Sequence, residues 1–439
     1  MANPVATLFR IPEVKDKIVF TLLALLIYRI GAHIAAPGID VEALRAYTGQ
    51  LQGTVFGIYD MFVGGGLSKA TVFALGIMPY ISASIMFQLL AAVFPTIEKM
   101  QKEGEEGRKR LTQYTRYATV ALSIVQAYGY SLFLENIPGA VVDPGFGFKL
   151  TMILTLTTGA VFIMWLGEQI TERGIGNGMS LLIFFSIIES LPTALYETYR
   201  LVRLGEVSGL ALVGLVVVML LVIAATVAVT LAARKIPVQI PRKVMGKGRI
   251  REGQKSFVPL RINSAGVMPI IFAQSIVIVP STLQQFSQSE YIRTFSNWFQ
   301  FGTWPYEITF GLLIIFFTYF YTAIIFNPVD LAENLKKQGA FVPGVKPGAR
   351  TAEYIDRVLT RITLPGAVFL AAIAIIPGLV LNSVGVPFLG RVLGGTGVLI
   401  MVGVALDTVQ QMQQHLLLRR YDGFMRKGRV KLRGRTRFM

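Results

Sequence analysis

Cysteine is absent from the 439 residues, which excludes a disulfide framework, a thiolate nucleophile and a cysteine-ligated metal site. Histidine occurs only as His33 and His415, so an HExxH zinc site is also excluded. The sequence has neither a GxxxxGKS/T phosphate-binding loop nor a GxSxG nucleophile elbow. Charged residues make up 15% of the chain, whereas soluble domains average about 25%. These absences disfavour an enzyme and exclude a single soluble core.

Apolar residues are abundant instead. They form 53% of the chain, and the mean hydropathy is +0.57. A helix needs about 20 apolar residues to cross a bilayer, whereas barrel strands are shorter and alternate in polarity. The sequence therefore predicts ten transmembrane helices, at about 18–36, 72–95, 114–134, 150–168, 179–195, 208–233, 263–284, 307–327, 362–384 and 394–414. A cleaved signal peptide is the alternative for the first run, but Arg29 and His33 lie where such a peptide is apolar.

Lysine and arginine are distributed unevenly between the connections. With the N-terminus in the cytoplasm, 33 of the 42 lie in cytoplasmic segments, 6 on the other side and 3 in or beside spans. Cytoplasmic loops of membrane proteins carry this excess, so the count predicts that both termini are cytoplasmic. The net charge of +17 also suggests contact with anionic lipid or another anionic partner on that face.

Two long cytoplasmic connections, 234–262 and 328–361, are basic. In the first, residues 236–241 predict an extended strand and 245–248 a hairpin turn. In the second, a short amphipathic helix is predicted at 331–337. Two interpretations are open: solvated loops that obey the positive-inside rule, or a docking surface for an anionic partner such as rRNA or an acidic motor protein.

The tail 419–439 carries nine Lys and Arg and one acid. Its interspersed glycines, Gly423, Gly428 and Gly434, disfavour a fixed helix. Lipid phosphate and RNA are both adequate counter-charges for this tail, and its composition does not choose between them.

Ionisable residues inside the predicted spans are few: Arg29, His33, Glu168, Glu189 and Asp407. They lie mostly near span ends, where snorkelling or helix-end roles are the ordinary explanation. A proton-coupled transporter usually has paired carboxylates or lysine at mid-depth, so a secondary transporter is the disfavoured alternative.

The outer connection contains GIYDMFVGGGLSKA at 57–70, which is too polar and too rich in glycine to span a membrane. It predicts a short re-entrant half-helix around 59–70, which is tolerated at membrane depth only inside protein or a water-filled cavity. Its three consecutive glycines lower helix stability by roughly 0.5–1 kcal/mol each, which would keep displacement easy. A tight packing turn is the alternative interpretation.

A set of motifs in a fixed order resembles one family. The motifs are MFVGGGLSKA (61–70), FALGIMPYISASIMFQLL (73–90), EGRKRLTQYTRY (106–117), ITERGIGNGMSL (170–181), PLRINSAGVMP (259–269), GAFVPGVKPG (339–348) and YIDRVLTRIT (354–363). Together they resemble the SecY family of protein-translocation channels, in its bacterial form, over essentially the whole chain.

This resemblance implies an all-α membrane fold of ten helices in two inverted, pseudo-symmetric halves. The halves would be residues 1–195 (spans 1–5, with a plug near 59–70) and 196–414 (spans 6–10, with both basic loops), followed by the cytoplasmic tail 415–439. It implies a bacterial plasma membrane channel that passes unfolded secretory polypeptides and releases transmembrane segments sideways into lipid. It implies no cofactor and no enzymatic activity. The implied partners are SecE, SecG, the SecA ATPase, the ribosome through rRNA, signal peptides and nascent chains, and anionic lipid; energy would come from SecA, the ribosome or the proton-motive force.

The resemblance also implies four groups of site residues. The aliphatic pore ring is Ile77, Ile81, Ile183, Ile187, Ile271 and Ala405. The plug is Tyr59, Met61, Phe62, Gly64, Gly65, Gly66 and Leu67. The polar lateral gate, between spans 2 and 7, is Ser82, Ser84, Gln88, Gln274 and Ser275. The partner-docking residues are Arg242, Lys243, Arg249, Arg251, Lys346, Arg350 and Arg357.

An aliphatic ring suits a channel that must pass any sequence, because it dewets a narrow neck without offering a binding site. The pairs Ile77/Ile81 and Ile183/Ile187 have i,i+4 spacing and are predicted to share one helical face. Two positions depart from the family pattern. Ala405 is small for the ring, so Leu406 is the alternative there, and Lys346 replaces a frequent Arg and lacks its bidentate fork.

Overall fold

The computed structural model describes residues 12–51, 55–239, 243–245, 249–251, 255–263, 266–277, 280, 290–291, 294, 298–299, 303–386, 389 and 392–431. The helices are α1 (Pro12–Gly31), α2 (Val41–Leu51), α3 (Val55–Phe62), α4 (Met78–Val93), α5 (Pro95–Lys102), α6 (Glu105–Glu135), α7 (Phe146–Arg173), α8 (Gly178–Arg203), α9 (Gly209–Leu231), α10 (Met268–Val277), α11 (Trp304–Ile325), α12 (Pro328–Lys337), α13 (Ala349–Ser383) and α14 (Gly395–Lys431). The strands are β1 (Ala233–Gln239), β2 (Lys243–Met245), β3 (Arg249–Arg251) and β4 (Lys255–Arg261).

A helix overlaps each of the ten predicted spans. Within the described residues, six helices are long and apolar enough to cross a membrane, or seven if the bent pair α4–α5 counts as one span. The helix α1 falls outside this count because Lys15, Asp16 and Lys17 occupy its first turns, and α10 has only ten residues. The chain is therefore a helical, multi-pass membrane protein, as predicted.

The described residues divide into two compact units. The first draws on Met1–Gln52, Phe56–Ser190 and Val404–Met439, and the second on Gly53–Val55 and Leu191–Gly403. In the first unit, one buried core joins the residues before α4 to α6 and α7; it includes Leu67, Tyr130, Leu134 and Met152. In the second unit, a smaller core lies between the strands and α12 and α13.

Local sequence explains several helix ends. Phe94 has an extended backbone (φ −102°, ψ 114°) because Pro95 follows it, and the chain bends there by 109° between α4 and α5. Asn177 accepts bonds from the backbone N–H groups of Met179 and Ser180 at 3.1 and 3.3 Å, which caps α8. Asn327 caps α12 in the same way through Val329, at 3.0 Å.

The predicted strand and hairpin of the first basic loop are confirmed. Strand β1 pairs antiparallel with β4, with Ile236 opposite Val258, and β2 pairs with β3, with Val244 opposite Ile250. Most of the turn predicted at 245–248 lies outside the described residues, at 246–248. The amphipathic helix predicted at 331–337 is confirmed as part of α12.

The expectation that the tail lacks a fixed helix is wrong for residues 419–431. Helix α14 continues from the last span to Lys431. A glycine costs about 1 kcal/mol in a helix interior, yet a helix that extends an existing one pays no nucleation cost. Gly423 and Gly428 are therefore accommodated, whereas Gly434 lies outside the described residues.

Candidate functional site

The half-helix predicted around 59–70 is shifted in the structure. Helix α3 spans Val55–Phe62, and residues 63–77 form consecutive turns. The glycines lie beyond the helix rather than within it, so the expectation that they weaken it is wrong. Gly64 and Gly65 have positive φ angles of 71° and 75°, and the N–H of Gly65 donates to the carbonyl of Asp60 at 2.8 Å. This bond is the 6→1 bond of a glycine-terminated helix end, and the left-handed backbone explains the glycines.

Tyrosine hydroxyls fix these turns within the first unit. The hydroxyl of Tyr130, on α6, donates to the carbonyl of Leu67 at 2.6 Å. The hydroxyl of Tyr28, on α1, lies 3.2 Å from the carbonyl of Val63 and 2.8 Å from Oγ of Ser186 on α8. The hydroxyl of Tyr59 donates to the carbonyl of Leu75 at 3.3 Å. Helices α1 and α6 thus hold the backbone of residues 63 and 67, and Tyr59 ties α3 to the turns that precede α4.

The backbone of α7 also packs closely against the turns of residues 63–77. A Cβ atom placed on Gly159 of α7 would lie 2.0 Å from the carbonyl oxygen of Val72. The Asp60 carboxylate accepts the N–H of Ser68 at 2.8 Å, and the N–H of Val72 donates to Ile34 at 2.9 Å. The segment therefore packs against α7 with no room for a side chain at residue 159.

The charged residues in the spans form ion pairs between helices. Arg29 of α1 pairs with Glu189 of α8. Arg116 of α6 makes a bidentate contact with Glu168 of α7, at 2.9 and 2.8 Å, and also donates to Gln113 at 3.2 Å. Arg29 lies in the last turn of α1, near a span end as predicted, and the three residues Arg29, Glu168 and Glu189 are in addition paired between helices. These pairs tie neighbouring helices of the first unit together, which neutralises charge that lipid would not solvate.

Four of the predicted ring residues of the first unit are buried isoleucines. Ile183 and Ile187 lie one turn apart on α8 and are at most 1% exposed. Ile81 is buried on α4, whereas Ile77 precedes that helix and its carbonyl accepts the N–H of Ile81 at 3.1 Å. The prediction that Ile77 and Ile81 share the face of one helix is therefore corrected. Helix α4 begins at Met78, with Pro79 in its first turn, so Ile77 lies just before the helix.

The remaining ring positions differ from one another in exposure. Ile271 is buried on α10 of the second unit. Ala405 is exposed on α14 and Leu406 is partly buried, so the choice between them stays open.

The predicted gate residues form hydrogen bonds within their own units. Gln88 donates to Ser84 at 3.0 Å, one turn away on α4, and Ser82 is partly buried on the same helix. In the second unit, Ser275 donates to the carbonyl of Ile271 at 2.8 Å, and Gln274 donates to the hydroxyl of Tyr306 on α11 at 3.2 Å. Their role in a gate stays a prediction.

The two basic loops share one hydrophobic core in the second unit, which the sequence did not indicate. Buried residues of β1 and β4 pack with those of α12, the following loop and α13, namely Ile236, Val238, Leu260, Leu335, Ala340, Val342 and Ile355. Gln239 and Phe341 exchange backbone hydrogen bonds at 2.9 and 3.0 Å, which joins the loops directly. We call this assembly, residues 233–261 and 328–361, the basic platform.

The predicted docking residues lie on this platform where they are described. Lys346, Arg350 and Arg357 are exposed, and Arg357 contacts Glu353 at 3.3 Å. On the hairpin, Lys243 and Arg251 are opposite one another in register and Arg249 is opposite Met245. Arg242 lies outside the described residues.

Comparison with known proteins identifies the family. The SecY family profile matches residues 71–409. The chain is 43% identical over 434 residues to the protein translocase subunit SecY of Aquifex aeolicus, covering 97% of this chain and 100% of that protein. This chain belongs to the SecY family.

Solved structures with the SecY fold agree with the architecture. One, described as a protein conducting channel, aligns with a TM-score of 0.66 and 17% identity over 91% of this chain and 92% of that chain. Sec61 in the canine ribosome–channel complex from the endoplasmic reticulum aligns with a TM-score of 0.63 and 17% identity, over 91% and 92%. At this identity the agreement concerns the fold, which is the ten-helix SecY fold.

Sequence reasoning missed several residues that position the 57–70 segment: Tyr28, Tyr130, Ser186 and Gly159. Tyrosine, serine and glycine are common inside membrane helices, so their types alone carry little signal. The charges of Arg29 and Glu189 were a usable signal. Opposite charges in two otherwise apolar spans favour pairing, because an isolated charge is costly there.

Proposed function

We propose that this chain is the channel-forming subunit of a protein translocase, through which unfolded secretory polypeptides cross the plasma membrane and apolar segments leave sideways into lipid. Membership of the SecY family makes it a protein-conducting channel. The observation that carries the detailed proposal is the 57–70 segment, which α1 and α6 hold through two tyrosine–carbonyl hydrogen bonds. Such a segment suits a plug that closes a channel and can be displaced.

The buried isoleucines supply the proposed seal. Ile77, Ile81, Ile183 and Ile187 of the first unit, with Ile271 of the second, would line the polypeptide path. Aliphatic side chains exclude water and ions from a narrow neck and bind no particular sequence. On α14, either Ala405 or Leu406 would complete this lining.

The polar residues of α4 and α10 are proposed to line the sideways exit. Gln88 donates to Ser84 along one face of α4, and hydrogen bonds between helices in membranes average about 0.6 kcal/mol. An apolar signal segment that binds between such helices would need to replace only modest contacts. The gate therefore opens for a sufficiently apolar segment and stays closed to a polar one.

The basic platform is proposed as the docking surface for the source of energy, which would be SecA, the translating ribosome or both. Its exposed cations, Lys346, Arg350 and Arg357, project from a packed core rather than from free loops. The ribosome-bound canine Sec61 structure supports this proposal, since a rigid cationic surface suits rRNA phosphate. SecE and SecG are the proposed membrane partners, and the proton-motive force a further source of energy.

The proposed location is the bacterial plasma membrane, with both termini in the cytoplasm. The excess of lysine and arginine in the platform and the tail supports this orientation. The same cations would contact anionic lipid at the cytoplasmic surface, at about 1 kcal/mol per cation.

The test is reconstitution of this chain with SecE and SecG in liposomes, followed by addition of SecA, ATP and a secretory precursor. We expect the precursor to become protected from external protease only when ATP is present. A precursor whose signal segment is made polar is the matched control and should remain digestible. Full digestion of the authentic precursor by a correctly folded complex would contradict the proposal.

A further inference from the structure

We propose that the hydroxyls of Tyr28, Tyr130 and Ser186 form a polar seat for the backbone of the 57–70 segment, and that this seat sets how readily the segment leaves its closed position. The proposal rests on the proposed role of this segment as a plug. It assigns a positioning role to three residues that the motifs of the family do not single out here.

The seat contacts main-chain atoms at two separate points. Tyr130 reaches the carbonyl of Leu67 at 2.6 Å, and Tyr28 reaches that of Val63 at 3.2 Å. Both tyrosines are nearly fully buried, with 4% and 2% of their surface exposed. A buried carbonyl that loses its donor is costly, so each hydroxyl favours the closed position of the segment.

Ser186 supports Tyr28 from α8. Its Oγ lies 2.8 Å from the Tyr28 hydroxyl and 2.9 Å from the carbonyl of Leu182. Since each hydroxyl carries one proton, Tyr28 and Ser186 together can make only two of the three contacts to Val63, Leu182 and one another at a time. When Ser186 donates to Tyr28, the proton of Tyr28 is directed to the carbonyl of Val63, so Ser186 acts through Tyr28 rather than on the segment itself.

Gly64 fits the seat because it has no side chain. A Cβ at this position would lie 3.3 Å from Oε2 of Glu189 and 3.5 Å from both Cβ and Oγ of Ser186. Its φ of +71° also disfavours any L-residue with a side chain. The tip of the segment is therefore matched to the surface of α8 in both shape and polarity.

The seat makes only two hydrogen bonds to the backbone of the segment, so the segment can leave it reversibly. Two hydroxyl–carbonyl bonds hold residues 63–67, and each net hydrogen bond shifts an equilibrium by roughly two- to tenfold. Water that enters with a displaced segment can replace both bonds, so opening does not leave the hydroxyls unpaired. The seat thus stabilises the closed state without locking it.

The test uses the absence of cysteine from the chain. Ser68→Cys places one thiol in the segment, and a water-soluble maleimide reports its exposure when the chain is reconstituted in lipid nanodiscs. Adding Tyr130→Phe should raise the labelling rate by about two- to tenfold, and adding Tyr28→Phe as well should multiply the effect, because the two bonds are separate. Ser186→Ala should give a smaller rise in the presence of Tyr28 and none when Tyr28→Phe is already present.

Tyr128→Phe is the matched control, because Tyr128 lies on the same helix as Tyr130 and is 45% exposed. It should leave the labelling rate unchanged. Resistance of each variant to detergent unfolding is measured in parallel, so that general destabilisation is separated from release of the segment. Equal labelling rates for Tyr130→Phe and Tyr128→Phe would overturn the seat. If precursor transport by the parent chain is intact in that case, the proposed function stands while the seat fails; absence of transport would instead contradict the proposed function.

Discussion

Replacing Gly159 by alanine is expected to displace the connection between the 57–70 segment and α4. An ideal Cβ at residue 159 lies 2.0 Å from the carbonyl oxygen of Val72 and 3.3 Å from the Phe73 ring. Cβ atoms essentially never approach other atoms within 3.0 Å, so the two backbones must separate by about 1 Å. The Val72 N–H donates to Ile34 at 2.9 Å, and this bond would lengthen with the shift.

The expected cost follows from two opposing effects. Overpacking a close contact costs about 1–3 kcal/mol, whereas alanine gains at most about 1 kcal/mol over glycine in a helix. Gly147→Ala, in the first turn of the same helix, is the uncrowded control, because nothing lies within 4 Å of a Cβ there. Gly159→Ala should therefore be less stable than Gly147→Ala by about 1–3 kcal/mol.

Detergent-induced unfolding of both purified variants measures this difference, and ion conductance in planar bilayers measures leakage. We expect Gly159→Ala to unfold at lower detergent concentration and to leak more than the parent. Gly147→Ala should match the parent or exceed its stability. Equal stability and equal conductance of the two variants would refute the close packing of α7 on residue 72.

Three further outcomes follow from the described contacts. Glu168→Gln removes the charge that pairs with Arg116 and should lower the unfolding free energy by about 1–3 kcal/mol. Glu106→Gln, in an exposed pair with Arg110, is the control and should be nearly neutral. Comparable losses in the two variants would show that the Arg116–Glu168 pair is no more stabilising than the exposed pair. Ile81→Gly combined with deletion of residues 60–67 should raise resting ion conductance, and unchanged conductance would remove Ile81 from the seal. Lys346→Glu with Arg357→Glu should abolish SecA-driven transport in a folded channel; normal transport would exclude them from docking.

The span positions were predictable because long apolar runs have one stable solution in a bilayer, a helix that satisfies its own backbone. Their ends were less predictable. The start of α4 at Met78 rather than near residue 72 depends on turns that Tyr59 and Asp60 stabilise from earlier in the chain. The bend at Phe94 follows from Pro95, a local signal that the hydropathy pattern does not contain.

The sequence predicted which segment forms the candidate site, but it did not predict the contacts that hold this segment in place. The mixture of apolar, polar and glycine residues at 57–70 indicated a re-entrant segment, because it is too polar and too rich in glycine to span a bilayer. The tyrosines that hold it are distant in sequence, at residues 28 and 130, and nothing local marks them. The shared core of the two basic loops was missed for the same reason, since Val238 and Ile355 contribute to it from separate connections.

Crosslinking of a polypeptide stalled in transit tests the central claim most directly. Single cysteines replace either Ile81 or Ile187, which are buried, or Leu22 or Leu220, which are exposed on α1 and α9. A precursor that carries one cysteine and a folded C-terminal domain is stalled during SecA-driven transport, and disulfide formation is then induced. We expect Ile81→Cys and Ile187→Cys to crosslink, and Leu22→Cys and Leu220→Cys not to. Crosslinking from the exposed leucine positions and none from the isoleucine positions would contradict a polypeptide path along these isoleucines.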